Sequence, residues 1–119
     1  MSKVILIKAE GVIHIMELGN DILKHLQAAV GGYIEVVPVP EPLNDVYMVC
    51  NEEGKLNDLP YNVVATLVYN YGRDAEYIDP IVGDAVIVKK GRDDLEGLEE
   101  KDVDRILPII KEMIKNTFI

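Results

Sequence analysis

The sequence predicts an α+β domain, with an antiparallel or mixed sheet of about five strands and two to three helices packed on one side. Three observations carry that expectation. Short apolar runs rich in β-branched residues, such as Val4–Ile7 and Ala85–Val88, have strand length. Glycine, proline and asparagine separate several runs by connections short enough for antiparallel pairing. Apolar residues recur at helical spacing in only three stretches, around 22–30, 59–71 and 103–114.

Taken in order, Val4-Ile5-Leu6-Ile7 reads as a strand buried on both faces. Ala9-Glu10-Gly11 turns the chain, and Val12 to Met16 returns as the second arm of a hairpin. Gly19-Asn20 or Asp21 caps a helix carrying Ile22, Leu23, Leu26, Ala29 and Val30 on one stripe. Gly31-Gly32 ends it, because glycine reaches the left-handed conformation that a helix C-terminus favours. Tyr33 to Val39 is a third strand, stopped by Pro38, Pro40 and Pro42, which make an extended connection. Val46–Cys50 is a fourth.

Asn51-Glu52-Glu53-Gly54 has the form of a tight turn with Gly54 at positive φ, and Lys55-Leu56 is a candidate short return strand. The 51–62 stretch thus reads as a hairpin tip feeding a helix start. Asp58-Leu59-Pro60 opens that helix, with Pro60 in its first turn, where a missing donor costs nothing. Over 61–70 periodicity favours helix while Val63-Val64 and Leu67-Val68-Tyr69 favour strand; helix is the reading adopted. Ala85–Val88 is a clear strand. The last element is a helix from about Glu100, kinked at Pro108, with Val103, Ile106, Leu107, Ile110, Met113 and Ile114 facing the core.

A chain of 119 residues suits one domain able to bury a core without disulfides. Its net charge of −9, from 21 acidic and 12 basic residues, argues against direct binding to nucleic-acid phosphates. No apolar run spans a bilayer, and the four apolar residues between Lys3 and Lys8 are too few for a signal peptide, so a cytoplasmic location is expected. The single Cys50 lies in an apolar run and reads as a small buried hydrophobe.

No catalytic set, metal site or cofactor is expected. Glu52 and Glu53, with Glu35 and Asp58 nearby, have the chemistry for a divalent cation or an acid/base pair, yet a solvated turn explains them at lower cost. His14 and His25 have no ligand at zinc spacing, Ser2 is the only serine, and no glycine-rich phosphate motif occurs. Core and rim packing is the favoured explanation for Tyr61, Tyr69, Tyr71 and Tyr77 in a chain with no Trp and one Phe, yet they also suit a recognition surface, since tyrosine presents large area at small entropic cost. The preferred interaction surface is therefore 51–77, with Asn51, Glu52, Glu53, Lys55, Asn62, Tyr69 and Tyr71 as binding candidates. The acidic residues Asp93, Asp94, Glu96, Glu99, Glu100, Asp102 and Asp104 read as a solvated linker and a favourable helix N-terminus.

Four strings in fixed order carry a family resemblance: Gly31-Gly32-Tyr33-Ile34-Glu35-Val36-Val37; Asn51-Glu52-Glu53-Gly54-Lys55-Leu56; Leu59-Pro60-Tyr61-Asn62 with Ala65-Thr66; and Ile81-Val82-Gly83-Asp84-Ala85-Val86-Ile87-Val88. Together they resemble the domain of unknown function 3846 family, small proteins of phages, plasmids and prokaryotic genomes. The resemblance covers about residues 4–90. It implies an intracellular setting, often on mobile elements, and supplies no catalytic residues. Family members often carry glycine and a basic residue where this chain has Asp58 and Val63. Residues 1–119 are expected to form one domain, with 1–92 the family-like core and 93–119 an acidic linker plus helix. The expected function is a non-enzymatic protein-binding or regulatory module with a protein partner, a homodimer remaining open, and no direct contact with nucleic acid or membrane. Two alternatives stand beside it: an acidic anti-defence inhibitor that mimics nucleic-acid charge, and a small-molecule or divalent-metal-dependent enzyme using the turn carboxylates.

Overall fold

The computed structural model describes residues 2–92 and 94–118, so Met1, Ile119 and Asp93 of the acidic run lie outside the described residues. Six strands and three α-helices follow in the order β1 (Lys3–Ile7), β2 (Ile13–Glu17), α1 (Ile22–Val30), β3 (Ile34–Pro38), β4 (Val46–Asn51), α2 (Val63–Tyr69), β5 (Ala85–Lys90), β6 (Leu95–Glu96) and α3 (Glu100–Phe118). The sheet order is β2-β1-β5-β4-β3, with the two-residue β6 paired to β5. All pairings are antiparallel. The α+β class and the antiparallel sheet agree with the sequence.

The helices do not all lie on one side. Ile5, Ile7, Met48, Cys50, Ala85 and Ile87 face α2 and α3, packing with Ala65, Val68, Ile106 and Ile110. The alternate residues Val4, Leu6, Val49, Val86 and Val88 face α1 and pack on Leu26 and Val30. The reason is in the runs themselves. Strands β1, β4 and β5 have no polar alternation, so both of their faces must be covered. Burial of this apolar surface is the dominant stabilising term.

Local chemistry sets the helix ends. The Asp21 carboxylate accepts from the Lys24 amide at 3.1 Å and starts α1. Gly31, at φ 81°, ends it, with its amide donating to the Gln27 carbonyl. At α2 the cap is Asn62, in extended backbone, so Pro60 precedes the helix and does not form its first turn. The proline-spaced link after β3 also differs from the extended piece expected. Leu43 and Val46 amides close successive turns onto Pro40 and Leu43 carbonyls, and the Leu43 side chain is fully buried.

Residues 51–62 are not a hairpin tip. Both neighbours of β4 are already taken by β3 and β5, which leaves no edge for Lys55-Leu56 to pair with. Residues 52–58 instead form consecutive turns. Gly54 does not have positive φ; it is glycine-like because a Cβ there would meet Val82 Cγ2 at 2.9 Å. The left-handed position is Asp58, at φ 53°. Beyond β5, the expected acidic linker contains β6 and then Leu98, which is fully buried and bridges to Lys3 of β1.

Candidate functional site

Three polar side chains, of α2 and its two caps, lie four residues apart, so they share one side of the helix. That side faces residues 79–83. Asn62 is fully buried; its Nδ2 donates to the Ile7 carbonyl at 2.9 Å and the Gly83 carbonyl at 2.8 Å, while its Oδ1 accepts from the Ala65 amide. Thr66 Oγ1 accepts from the Ile81 amide at 2.9 Å and donates to the Ile81 carbonyl at 3.3 Å. Asn70 Nδ2 donates to the Thr66 and Asp79 carbonyls, and its Oδ1 accepts from the Asp79 amide, each at 2.8 Å. Buried amides are costly unless paired, and here the pairing ties a whole segment to the helix.

The consequence is a loop with a fixed base. Asn70 and Asp79 bond each other on both sides of the amide, while every residue from Tyr71 to Pro80 is exposed. Ala75–Tyr77 make a single 3-10 turn, closed by the Tyr77 amide on the Asp74 carbonyl. Arg73 is held from below: its guanidinium lies 5.0 Å from the Tyr69 ring centroid and donates to Asn70 Oδ1. Compact loops whose ends are close are frequently functional.

A cleft lies on each side of this loop. One, of about 370 Å³, is lined by Tyr61, Leu67, Tyr71, Arg73, Ile78 and Phe118. The other, of about 300 Å³, is polar and is lined by Glu35, Cys50, Glu52, Lys55, Tyr69 and Asp79 among others. Lys55 Nζ is 2.8 Å from Asp79 Oδ1, and that hydrogen bond holds the ammonium pKa above its ordinary value. Cys50 Sγ is 3.8 Å from Glu35 Oε1; burial first, and the Glu35 carboxylate second, push the thiol up to about 11. A thiol so raised is protonated near neutral pH and is a poor nucleophile.

Of the residues singled out from sequence, Asn51, Glu52, Lys55 and Tyr69 share the polar cleft, and Tyr71 lines the other. Glu53 is exposed and Asn62 is internal. Asn51 is also largely internal: its Nδ2 donates to the Val30 carbonyl at 3.1 Å and its Oδ1 accepts from the Glu53 amide at 2.8 Å. Of the turn carboxylates, Glu35 and Glu52 meet at one cleft while Glu53 and Asp58 do not line it. Among the described residues no group of three or more His, Cys, Asp and Glu side chains could hold a metal ion. His14 and His25 are exposed on separate elements. Sequence reasoning missed Thr66, Asn70 and Asp79. The signal was Asn62-x-x-x-Thr66-x-x-x-Asn70, a polar stripe at helical spacing.

Fold and site together define a small two-sided α+β domain, a central antiparallel sheet with α1 on one face and α2 with α3 on the other, carrying a clamped surface loop. The chain belongs to the family described as Domain of unknown function (DUF3846), whose profile matches residues 1–111. That match runs beyond residue 90 and takes in most of α3. No curated protein and no solved structure matches the chain significantly. Among the described residues no helix is long and apolar enough to cross a membrane.

Proposed function

We propose that the protein is a non-enzymatic protein-binding module whose contact surface is the Tyr71–Ile78 loop and the cleft beside it. The observation that carries this reading is the coupling of a rigid base to exposed aromatic tips. Tyr71, Tyr77 and Ile78 are 36 %, 64 % and 39 % exposed, while the Asn70–Asp79 clamp beneath them is fully hydrogen-bonded. Large side chains held on an ordered base lose little entropy on contact, the condition under which tyrosines become binding hot spots. Tyr61 and Phe118, 49 % and 61 % exposed, extend the patch across the cleft. Glu52, Lys55 and Tyr69 form its polar rim on the other side of the loop.

The test is photo-crosslinking in cells of the source organism, with the probe placed at Tyr77 and, as a control, at His14 on the far side of the sheet. A partner specific to position 77 is expected. It should be competed away by added wild-type protein and not by a variant with alanine at Tyr71, Tyr77 and Ile78 whose melting temperature is unchanged. Equal competition by that variant refutes the assignment.

A further inference from the structure

β3 leaves one edge of the sheet without a neighbour, and hydrogen bonding decides which of its groups point outward. The Glu52 amide donates to the Tyr33 carbonyl at 2.9 Å, and the Lys90 amide donates to the Asp45 carbonyl at 3.2 Å. Hydrogen-bonded pairs alternate along an antiparallel ladder. Asp45, Tyr47 and Val49 therefore bond towards β5, and the even-numbered residues of β4 bond to Glu35 and Val37 of β3. Ile34, Val36 and Pro38 are left with their backbone groups facing out. Pro38 has no donor to lose there, the place where a sheet tolerates proline. Two amides, of Ile34 and Val36, and the carbonyls of Ile34, Val36 and Pro38 are directed to the open side, and among the described strands none pairs with them.

The two faces beside this edge differ in chemistry. On the α1 face, Ile34 and Val36 line a groove of about 610 Å³ with Leu23 and Leu26 of α1 and Tyr47 of β4, its lining completed by Arg92 and Asp94 after β5. Leu23 is 53 % and Val36 38 % exposed. On the opposite face stands Glu35, exposed, sharing its cleft with Glu52 and with Lys55, whose ammonium is taken up by Asp79; neither glutamate makes a salt bridge among the described residues.

We propose that the β3 edge receives an extended segment of a partner protein in which apolar and basic residues alternate. Successive side chains of an added strand point to opposite faces. One set drops into the groove over Ile34 and Val36. The other stands beside Glu35, where lysine or arginine meets a carboxylate that makes no salt bridge among the described residues. A second copy of this chain fits less well. Two-fold pairing centred on Val36 would set each Ile34 against the other chain's Pro38, leaving the Ile34 carbonyl without a donor. It would also bring the two Glu35 side chains to the same face at roughly 7 Å on the diagonal, between chains that each carry −9. This inference does not rest on the Tyr71–Ile78 loop.

The experiment is amide hydrogen exchange on the full chain with synthetic heptapeptides as probes. A peptide of alternating valine and lysine is expected to slow exchange at the Ile34 and Val36 amides by about tenfold or more, leaving the Ile13 and Ile15 amides of the other edge unchanged. A peptide of alternating valine and glutamate is expected to do nothing. Val36→Pro removes an outward donor without touching the β4 ladder and should abolish the protection. Glu35→Lys, at an exposed position, should reverse the preference between the two peptides. Four results overturn the proposal: equal protection by both peptides, protection at Ile13 and Ile15 in place of Ile34 and Val36, no protection at any peptide concentration tested, or protection that grows with protein concentration alone, which would assign the edge to a second copy.

Discussion

The Asn62 side chain donates to the backbone carbonyl of Ile7 at 2.9 Å and so joins the start of α2 to the end of β1, 55 positions away in the chain. The same amide nitrogen reaches Gly83, ahead of β5, and the oxygen caps the helix. One residue thus ties together three elements. Asn62→Ala would remove a cap worth about 1 kcal/mol and leave the Gly83 carbonyl without its donor at roughly 1–3 kcal/mol, while the Ile7 carbonyl, opposite Ala85 in the sheet, would lose only its second donor. A loss of about 2–4 kcal/mol is expected in urea unfolding, a large share of a small domain's stability. Asn62→Ser keeps an acceptor for the Ala65 amide and should recover only the capping part, about 1 kcal/mol. If the serine variant matched wild type, the two donated bonds would carry no net stability.

That residue also shows where sequence reading stops. The Asn-x-x-x-Thr-x-x-x-Asn spacing is visible in the chain and predicts one polar stripe on α2, but a polar stripe equally suits water or another backbone segment. Only the packed fold brings residues 79–83 against it. The strand runs were more informative than their first reading. Val4–Ile7, Val46–Cys50 and Ala85–Val88 lack alternation, and that absence already demands cover on both faces of the sheet. The 51–62 turns were misread because their form depends on distant partners: Asn51 bonds the end of α1 and Gly54 lies against Val82. Turn composition identifies a break in the pattern, whereas the strand order decides whether a break is a hairpin.

The start of α3 gives the protein an acid-sensitive contact. Asp102 is buried, and its Oδ2 accepts from the Glu99 amide at 2.9 Å and lies 3.5 Å from Lys89 Nζ. Burial alone would raise the carboxyl pKa; the Glu99 amide and the Lys89 ammonium outweigh it and hold the group below its ordinary 3.8. A group lowered on folding contributes stability that is present above its unfolded value and lost as pH falls through the folded one. Denaturation midpoints measured downward from pH 5 should therefore fall below about pH 4. Asp102→Asn should be less stable than wild type at pH 6 and show a shallower acid decline. Parallel acid profiles for the two proteins would show that Asp102 is not a source of the decline.

Asp58 holds a left-handed backbone at φ 53°, a region that aspartate tolerates and glycine adopts freely. Asp58→Ala is expected to destabilise by about 1 kcal/mol, since alanine has no side-chain acceptor to offset the strain. Asp58→Gly relieves the strain while loosening the unfolded chain, and these opposing terms should leave it within about 0.5 kcal/mol of wild type. The ranking, glycine and aspartate together above alanine, is the measurable point. An alanine variant as stable as the glycine one would contradict a left-handed residue here.

Cys50 sits on β4 behind the polar cleft, 5 % exposed, with its thiol pushed from an ordinary 9.0 up to about 11. The thiolate is the reacting species, so at pH 8 its fraction in the folded protein is about a hundredfold below that in the unfolded chain. Iodoacetamide should accordingly modify the native protein at least about a hundredfold more slowly than the protein in urea at the same pH, because limited access adds to the low thiolate fraction. Glu35→Gln removes the smaller cause and leaves burial in place, so it should recover only part of that factor. The same shift has a consequence for folding. A pKa raised on folding gives stability that is complete below the unfolded value and lost as pH rises towards the folded one. Wild type should lose stability between about pH 9 and pH 11 more steeply than Cys50→Ala. If the two decline together across that window, the thiol does not ionise on unfolding as proposed.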